Sequence, residues 1–257
     1  MTDSVAGVVL AAGAGTRLRP LTRLRPKALC PVGDTPLVDH ALARLSAVTS
    51  SVAVNVHHGR LLMEAHLTRP EAAVVPHLSV EEDRARGTSG ALGLLREWID
   101  GRPVLVTNAD AWLPADLVPF VEGWDGERIR LLCVHDPSRG DFGPLRYCGA
   151  ALMPWTCVAG LGAEPSGLYE TTWAAARLDG RLDLVTHDGP FVDCGTPADY
   201  LAANLAWSGG ASVVGSDAVV GTGSRLVRTV LWPGAEVRPG EQLVDAVRAG
   251  PLTVLVR

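Results

Sequence analysis

Apolar positions along the chain follow two different periods. Residues 5–10 (VAGVVL) form a continuous, valine-rich apolar run that stops at glycine-rich sequence, which predicts a buried strand feeding a loop. Thr35 and Pro36 then mark a helix start, a capping hydroxyl followed by a residue whose missing N–H costs nothing in the first turn. Behind them Leu37, Val38, Ala41, Leu42, Leu45 and Val48 recur at helical spacing. Strands over 52–56, 72–76 and 103–107 alternate with helices over 60–67 and 89–99. The alternation predicts an α/β domain, a Rossmann-like mixed but mostly parallel sheet flanked by helices. In such sheets ligands bind beyond the carboxyl ends of the strands. The loop 11–17 and the segment from Asn108 to Asp110 both fall there, so they are expected to face one another.

The second half predicts strands over 128–134, 148–153, 182–186 and 190–193, with helices near 168–177 and 197–207. After Ser208-Gly209-Gly210 the helical period stops and a period of six begins: Val213, Val219, Leu231, Val237 and Leu243, interrupted by Arg225. Hexads indicate coils of a β-helix. The expected organisation is a catalytic domain over 1–208 and a short, left-handed β-helix-like extension over 211–257. A couple of coils bury too little to stand alone, so the extension must lean on the catalytic domain or on a partner. A homo-oligomer formed through the extension is one way of meeting that need.

Composition narrows the function classes. With 257 residues, 47% hydrophobic and 20% charged, the chain is globular and long enough to bury a core without staples. A net charge of −5 argues against nucleic acid or anionic lipid as a partner, and no apolar run approaches the ~18 residues of a membrane span. Asp3 sits where a signal peptide needs positive charge, and five scattered cysteines without a C-x-x-C pair read as reduced, buried thiols. A cytoplasmic protein is the expectation. Among 23 basic residues Lys27 is the sole lysine, which asks what an arginine could not do there.

The chemistry concentrates in Leu10-Ala-Ala-Gly-Ala-Gly-Thr-Arg17 and the Pro26-Lys27 that follows. Leu18 stands where a dinucleotide loop needs its third glycine, and no Gly-Lys-Ser/Thr follows, so neither a Rossmann dehydrogenase nor a P-loop fits. Gly13 and Gly15 instead let backbone N–H groups approach phosphate oxygens. Arg17 offers a planar fork for a terminal pyrophosphate and Lys27 a compact point charge, on a loop expected to face solvent when empty.

That string resembles the G-x-G-T-R-x-x-P-x-T…P-K signature of sugar-phosphate nucleotidyltransferases, the enzymes that make nucleotide sugars (the mannose-1-phosphate guanylyltransferase and N-acetylmuramate-1-phosphate uridylyltransferase type). Asn55-Val-His-His58, Gly87-Thr-Ser-Gly-Ala-Leu92, Thr107-Asn-Ala-Asp110 and Phe191-Val-Asp-Cys-Gly-Thr-Pro-Ala-Asp-Tyr200 resemble further family motifs in the family's order. The resemblance implies an enzyme that condenses an NTP with a sugar-1-phosphate, releasing pyrophosphate, with Mg²⁺ as cofactor. It implies catalytic roles for Arg17, Lys27 and Asp110, and Mg²⁺ ligation by Asp110 and Asp193. Nucleotide contacts fall to Ala11, Ala12, Gly13, Gly15, Thr16, Arg17, Thr88, Gly90 and Asn108. The sugar phosphate falls to Lys27, Gly149 and Glu170. Charge neutralisation between two polyanions, with Mg²⁺ on two carboxylates and substrate phosphates, agrees with that set.

Ser89 replaces the usual alanine of the base loop, and the sugar-phosphate Glu-Lys-Pro segment is absent. Its place is taken by 135–147, whose Gly140-Asp141-Phe142 resembles the N-acetylmuramate-1-phosphate uridylyltransferase branch; Arg139 and Arg146 are candidates to replace the missing lysine. His57 and His58, adjacent on a strand and so pointing to opposite faces, are read as packing residues. Two other classes stay in view: a metal-dependent glycosyltransferase, reading Asn108-Ala109-Asp110 as a degenerate Asp-x-Asp, and a degenerate nucleotide-binding regulatory subunit. Neither the base nor the sugar is named by the sequence.

Overall fold

The computed structural model describes residues 4–256, which fall into two compact units. One comprises the chain up to Gly13, His40–Ala109 and Leu113–Phe191; the other comprises Ala14–Asp39, Asp110–Trp112 and the chain from Val192 onward.

The first unit holds a seven-stranded sheet of β1 (Ala6–Leu10), β2 (Val52–Val56), β3 (His77–Val80), β4 (Val104–Asn108), β5 (Ile129–His135), β6 (Leu145–Met153) and β7 (Leu182–Thr186). The strand order is β7-β5-β6-β4-β1-β2-β3. Only β6 runs antiparallel to its neighbours; every other pair is parallel. The helices α1 (Leu37–Ser46), α2 (Arg60–Leu67) and α3 (Gly87–Leu94) precede β2, β3 and β4. β1 lies inside the sheet, and its apolar run follows from burial: Ala6, Val8 and Val9 are inaccessible. One core joins Val8, Val106 and Leu131 from the sheet to Leu92, Leu95, Ile99 and Trp173. β1 and β4 are neighbours in parallel with Leu10 opposite Asn108, and the Ala109 N–H donates to the Leu10 carbonyl at 3.0 Å. The two strand ends therefore meet as expected.

Several elements differ from the pattern reading. The strand expected over 72–76 lies at 77–80, because Pro76 has no N–H for a ladder and Val75 is 71% exposed. The helix over 89–99 divides at Leu95 into α3 and Arg96–Ile99. The helix near 168–177 opens with a π-turn, Tyr169–Trp173, before Ala174–Leu178. Thr35 and Pro36 pair with Val32 and Pro31 across the Gly33-Asp34 turn, where Gly33 has φ +64°, so α1 starts at Leu37.

In the second unit α4 (Pro197–Trp207) starts as its sequence dictates. The Thr196 hydroxyl caps it by accepting from the Asp199 N–H, and Pro197 sits in the first turn. The extension consists of strands: β8 (Val213–Val214), β9 (Val219–Val220), β10 (Arg225–Leu231), β11 (Glu236–Val237), β12 (Gln242–Ala249) and β13 (Leu252–Leu255). Val213 pairs in parallel with Val230, Val219 with Glu236 and Arg225 with Gln242, so each coil advances 17 residues. Arg228 and Asp245, one coil apart, both take left-handed backbone angles (φ +43° and +47°), and the Arg228 Nε donates to Asp245 Oδ1 at 2.6 Å. Val213, Leu231, Val237 and Leu243 point inward, whereas Val219 is 59% exposed. The extension does lean on its own chain: Val213, Val230, Trp232 and Val247 share a core with Leu18, Leu21, Cys30, Tyr200 and Leu201. Among the described residues no helix is long and apolar enough to cross a membrane.

Candidate active site

In the first unit the end of β1 is held by a buried polar chain. The Ala11 N–H donates to Asn55 Oδ1 (2.7 Å), the Asn55 amide donates to Glu81 Oε1 (2.7 Å), and Glu81 Oε2 accepts from the Arg86 N–H (2.7 Å). Asn55 is 3% and Glu81 1% exposed. This chain links the start of the glycine-rich loop to the residue before α3. Helix α3 itself lies flat on the backbone of 162–166. A Cβ on Gly87, Gly90 or Gly93 would sit within 2.4 Å of the carbonyl oxygens of Ser166, Glu164 and Gly162 respectively. Gly90 is thus required by packing, whatever ligand it meets. The Thr88 hydroxyl accepts from the Leu168 N–H at 2.8 Å, and the Thr171 hydroxyl donates to the Ser89 hydroxyl at 3.0 Å.

These contacts border a cavity of about 170 Å³ lined by Leu10, Thr88, Asn108, Tyr147, Gly167, Leu168, Tyr169, Glu170 and Trp173. The Tyr147 and Trp173 rings meet edge to face, centroids 4.9 Å apart. Three of the expected ligand contacts, Thr88, Asn108 and Glu170, are in its wall. Gly149 lies beside it with φ +94°, and a Cβ there would stand 3.4 Å from the Asn108 Cβ. The buried Arg44 fixes the end of β4, donating to the Asn108 carbonyl (3.2 Å), Thr107 Oγ1 (3.1 Å) and the Leu113 carbonyl (3.0 Å). Burial lowers its guanidinium to about 10. Ala11 and Ala12 are buried beside this loop and Gly13 is exposed.

In the second unit the residues 16–29 make three short 3₁₀ turns instead of an open loop. Leu18 and Leu21 are inaccessible, and Lys27 is only 7% exposed, so this loop does not simply face solvent. Gly15 has φ +58°, and a Cβ there would come within 2.8 Å of the Lys27 Cβ; glycine is required for the lysine stem to pass. Lys27 Nζ stands 3.2 Å from Asp110 Oδ2 and 3.5 Å from Asp193 Oδ1. The two aspartates are brought side by side by the short ladder of Ala111–Trp112 with Val192–Asp193, extended by the Cys194 N–H to the Asp110 carbonyl at 3.1 Å. Arg17 is exposed and reaches the same place: a Cβ on Gly195 would lie 3.2 Å from both Arg17 Nη2 and Asp193 Oδ1. Thr16 is exposed on the same turn.

Arg17, Lys27, Asp110 and Asp193 are therefore assembled from three separate stretches of sequence. Two carboxylates around one ammonium form a hard, all-oxygen donor pair suited to a divalent cation that completes its shell with phosphate and water. No cluster of three or more possible metal-ligating side chains occurs among the described residues. His57 and His58 lie past the end of β2, not on a strand, and their rings meet at 5.1 Å instead of pointing to opposite faces. His57 Nδ1 lies 2.6 Å from the Glu81 carbonyl, and His58 is exposed and does not pack. Arg146 is ion-paired with Asp136 at 3.7 Å. Glu81 and Arg44 carry positioning work that the sequence did not advertise, whereas Asn55 and Gly195 lie in strings singled out above, without this role being read from them.

Comparison with known proteins gives the same direction. The family model described as nucleotidyl transferase matches residues 6–136. N-acetylmuramate alpha-1-phosphate uridylyltransferase of Caulobacter vibrioides is 34% identical, over 76% of this chain and 94% of that protein. Mannose-1-phosphate guanylyltransferase of Mycobacterium tuberculosis is 26% identical, over 96% of this chain and 80% of that one. A crystal structure from Bacillus anthracis, provisionally assigned as a glucose-1-phosphate thymidylyltransferase, superposes with a TM-score of 0.67 at 20% identity, covering 78% of this chain and 94% of its own.

Proposed function

The chain belongs to the nucleotidyl transferase family, and from that membership we propose how its residues divide the work of joining an NTP to a sugar-1-phosphate. The activity is that of a sugar-1-phosphate nucleotidyltransferase, yielding an NDP-sugar and pyrophosphate. In the proposed step an oxygen of the sugar phosphate attacks the α-phosphorus in line, the bond from that phosphorus to the bridging oxygen breaks, and pyrophosphate leaves. The main barrier is charge: two polyanions must meet. Arg17 takes the leaving pyrophosphate through its fork. Lys27 sets a compact positive charge against the oxygens of the α-phosphate and of the attacking phosphate. Asp110 and Asp193 would hold Mg²⁺, which when bound supplies further charge neutralisation.

The cavity walled by Thr88, Asn108 and Glu170 takes the uncharged parts of the substrates. Thr88 and Asn108 offer polar groups to the nucleoside and Glu170 accepts from sugar hydroxyls, while Tyr147 and Trp173 present an apolar wall. The Gly140-Asp141-Phe142 segment and the 34% identity to the Caulobacter protein favour UTP and N-acetylmuramate 1-phosphate as first substrates. The glycosyltransferase alternative has no use for Arg17 and Lys27 in a triphosphate-reading loop. The regulatory alternative leaves the intact set unexplained.

The observation that carries this reading is Lys27 Nζ at 3.2 and 3.5 Å from carboxylates that lie 83 and 166 residues further along the chain. Pyrophosphate release is to be measured for five NTPs against a panel of sugar-1-phosphates, with Mg²⁺ and with EDTA. Turnover with at least one pair, abolished by EDTA and restored by Mg²⁺, is the expected result. Release by no pair, or release indifferent to EDTA, would remove the assignment.

A further inference from the structure

The segment that carries Lys27 is tied on both sides to one buried aromatic pair. Two residues before Lys27, the Arg25 guanidinium lies over the Trp232 ring, 4.5 Å from its centroid. Four residues after it, the Pro31 carbonyl accepts a hydrogen bond from the Tyr200 hydroxyl. The same hydroxyl accepts from the Trp232 indole N–H at 2.9 Å. Trp232 is 2% exposed, Tyr200 is inaccessible, and their rings meet edge to face at 6.4 Å. Between the two ties the chain closes on itself, with the Leu29 N–H on the Pro26 carbonyl and the Cys30 N–H on the Lys27 carbonyl, each at 2.9 Å.

A tail that only needed to fill a core could do so with any large apolar side chain. A buried tryptophan N–H and a buried tyrosine O–H are different, because each must find an acceptor or cost about 1–3 kcal/mol. Here both requirements are met by one directed relay that ends on a backbone carbonyl of the phosphate loop. The relay and the arginine over the ring hold the segment on both sides of Lys27. We propose that Trp232, in the C-terminal extension, is a positioning residue for catalysis: through Tyr200 and Arg25 it holds Lys27 in place. The extension thereby belongs to the phosphate-binding machinery although none of the residues assigned to substrate lies in it. This inference rests on the role given to Lys27 above.

Because Lys27 is the only lysine, its amine can be followed by itself. Full-length wild type, Trp232→Phe, Tyr200→Phe and Arg25→Leu are to be compared in three ways. These are kcat and KM for pyrophosphate release, the rate of Lys27 acetylation by acetic anhydride read by peptide mass spectrometry, and melting temperature. Trp232→Phe keeps a ring under Arg25 but cuts the relay, Tyr200→Phe cuts it at the next atom, and Arg25→Leu removes a half-buried group without opening the core. Misplacing a reacting group by about an ångström can cost on the order of 10²-fold, so a partial loosening should lower kcat by roughly 10-fold in each variant, with KM changed less than about threefold. Lys27 acetylation should quicken several-fold below the melting temperature. The Trp232→Phe/Tyr200→Phe double variant should be no worse in kcat than the worse single one, since both cut one relay. Unchanged acetylation with kcat within about twofold of wild type, even beside a lowered melting temperature, would reduce Trp232 to core filling. If Lys27→Met kept full turnover, the role of Lys27 would fall, yet the acetylation rates would still decide whether the relay holds that side chain.

Discussion

At the scale of single residues, Lys27 makes the sharpest case. It is walled by the Gly15 backbone and lies between two carboxylates at 3.2 and 3.5 Å, a space that suits an ammonium and not a wide guanidinium. Lys27→Arg should therefore lower kcat on the order of 10²-fold although charge is conserved. Burial of this side chain adds that the melting temperature should fall as well, which calorimetry would show; wild-type turnover in Lys27→Arg would make the lone lysine an accident of composition. Asp110→Asn should keep the fold and lose roughly 10²–10³-fold in turnover, the scale of removing one electrostatic contributor. Near-normal turnover at limiting Mg²⁺ would remove its metal role. Arg17, Lys27, Asp110 and Asp193 were legible because they sit in spaced, type-specific strings. For Asn55 the string was legible but its partners were not, and Glu81 and Arg44 carried no signal: a polar residue among apolar ones shows that it must have a partner, not which one.

Among the elements, the extension carries most of the consequence. Val213, Val230, Trp232 and Val247 cover Leu18, Leu21, Cys30 and Leu201, so truncation after Ser208 should expose those residues. We expect a truncated chain to aggregate or to melt at lower temperature than the full chain, and to be inactive, as size-exclusion chromatography and thermal melts would report. A truncated protein that stayed soluble, equally stable and active would contradict this. The exposed Val219 and Val220 leave room for a second copy on the extension, and the same chromatography on the full chain tests it. The hexad period announced coils, but the 17-residue advance could not be read from it. Arg228 and Asp245 take left-handed angles inside β10 and β12; of the two only aspartate is a residue type enriched there, and a lone aspartate does not announce a coil. The shift of the third strand from 72–76 to 77–80 has a similar origin. An apolar run ending in proline has the composition of a strand but lacks the donor where pairing would start.

For the molecule as a whole, the parallel sheet and its ligand-bearing strand ends were written in the alternation of periods, whereas the grouping into two units was not. Segments 14–39 and 110–112 associate with the chain beyond Val192 through contacts that no local pattern encodes. The thiols give a global test. Burial pushes Cys30, Cys133, Cys148 and Cys194 up to about 12 from 9.0, because an interior of low polarity disfavours the thiolate. Below pH 9 these thiols are neutral in both folded and unfolded chains and have no linked effect. Above it the unfolded chain loses protons that the folded chain retains, so stability should fall as pH rises from 9 toward 12. Urea melts at pH 8 and pH 10 would show it as a lower midpoint at pH 10. A disulfide-exchange reagent at pH 8 should find these four unreactive until the protein unfolds.

The tie between Pro31 and Tyr200 spans 169 residues, and that length has a meaning in time. Synthesis at about 5–20 residues per second makes the phosphate loop roughly 10–30 s before the hydroxyl that holds it. Within that interval Lys27 waits for its carboxylate partners too, Asp110 coming 83 and Asp193 166 residues after it. A nascent or prematurely ended polypeptide thus carries the whole glycine-rich signature without a working phosphate site. The segment bearing Lys27 is thus tied down only after Tyr200 and Trp232 have been made, long after the signature itself.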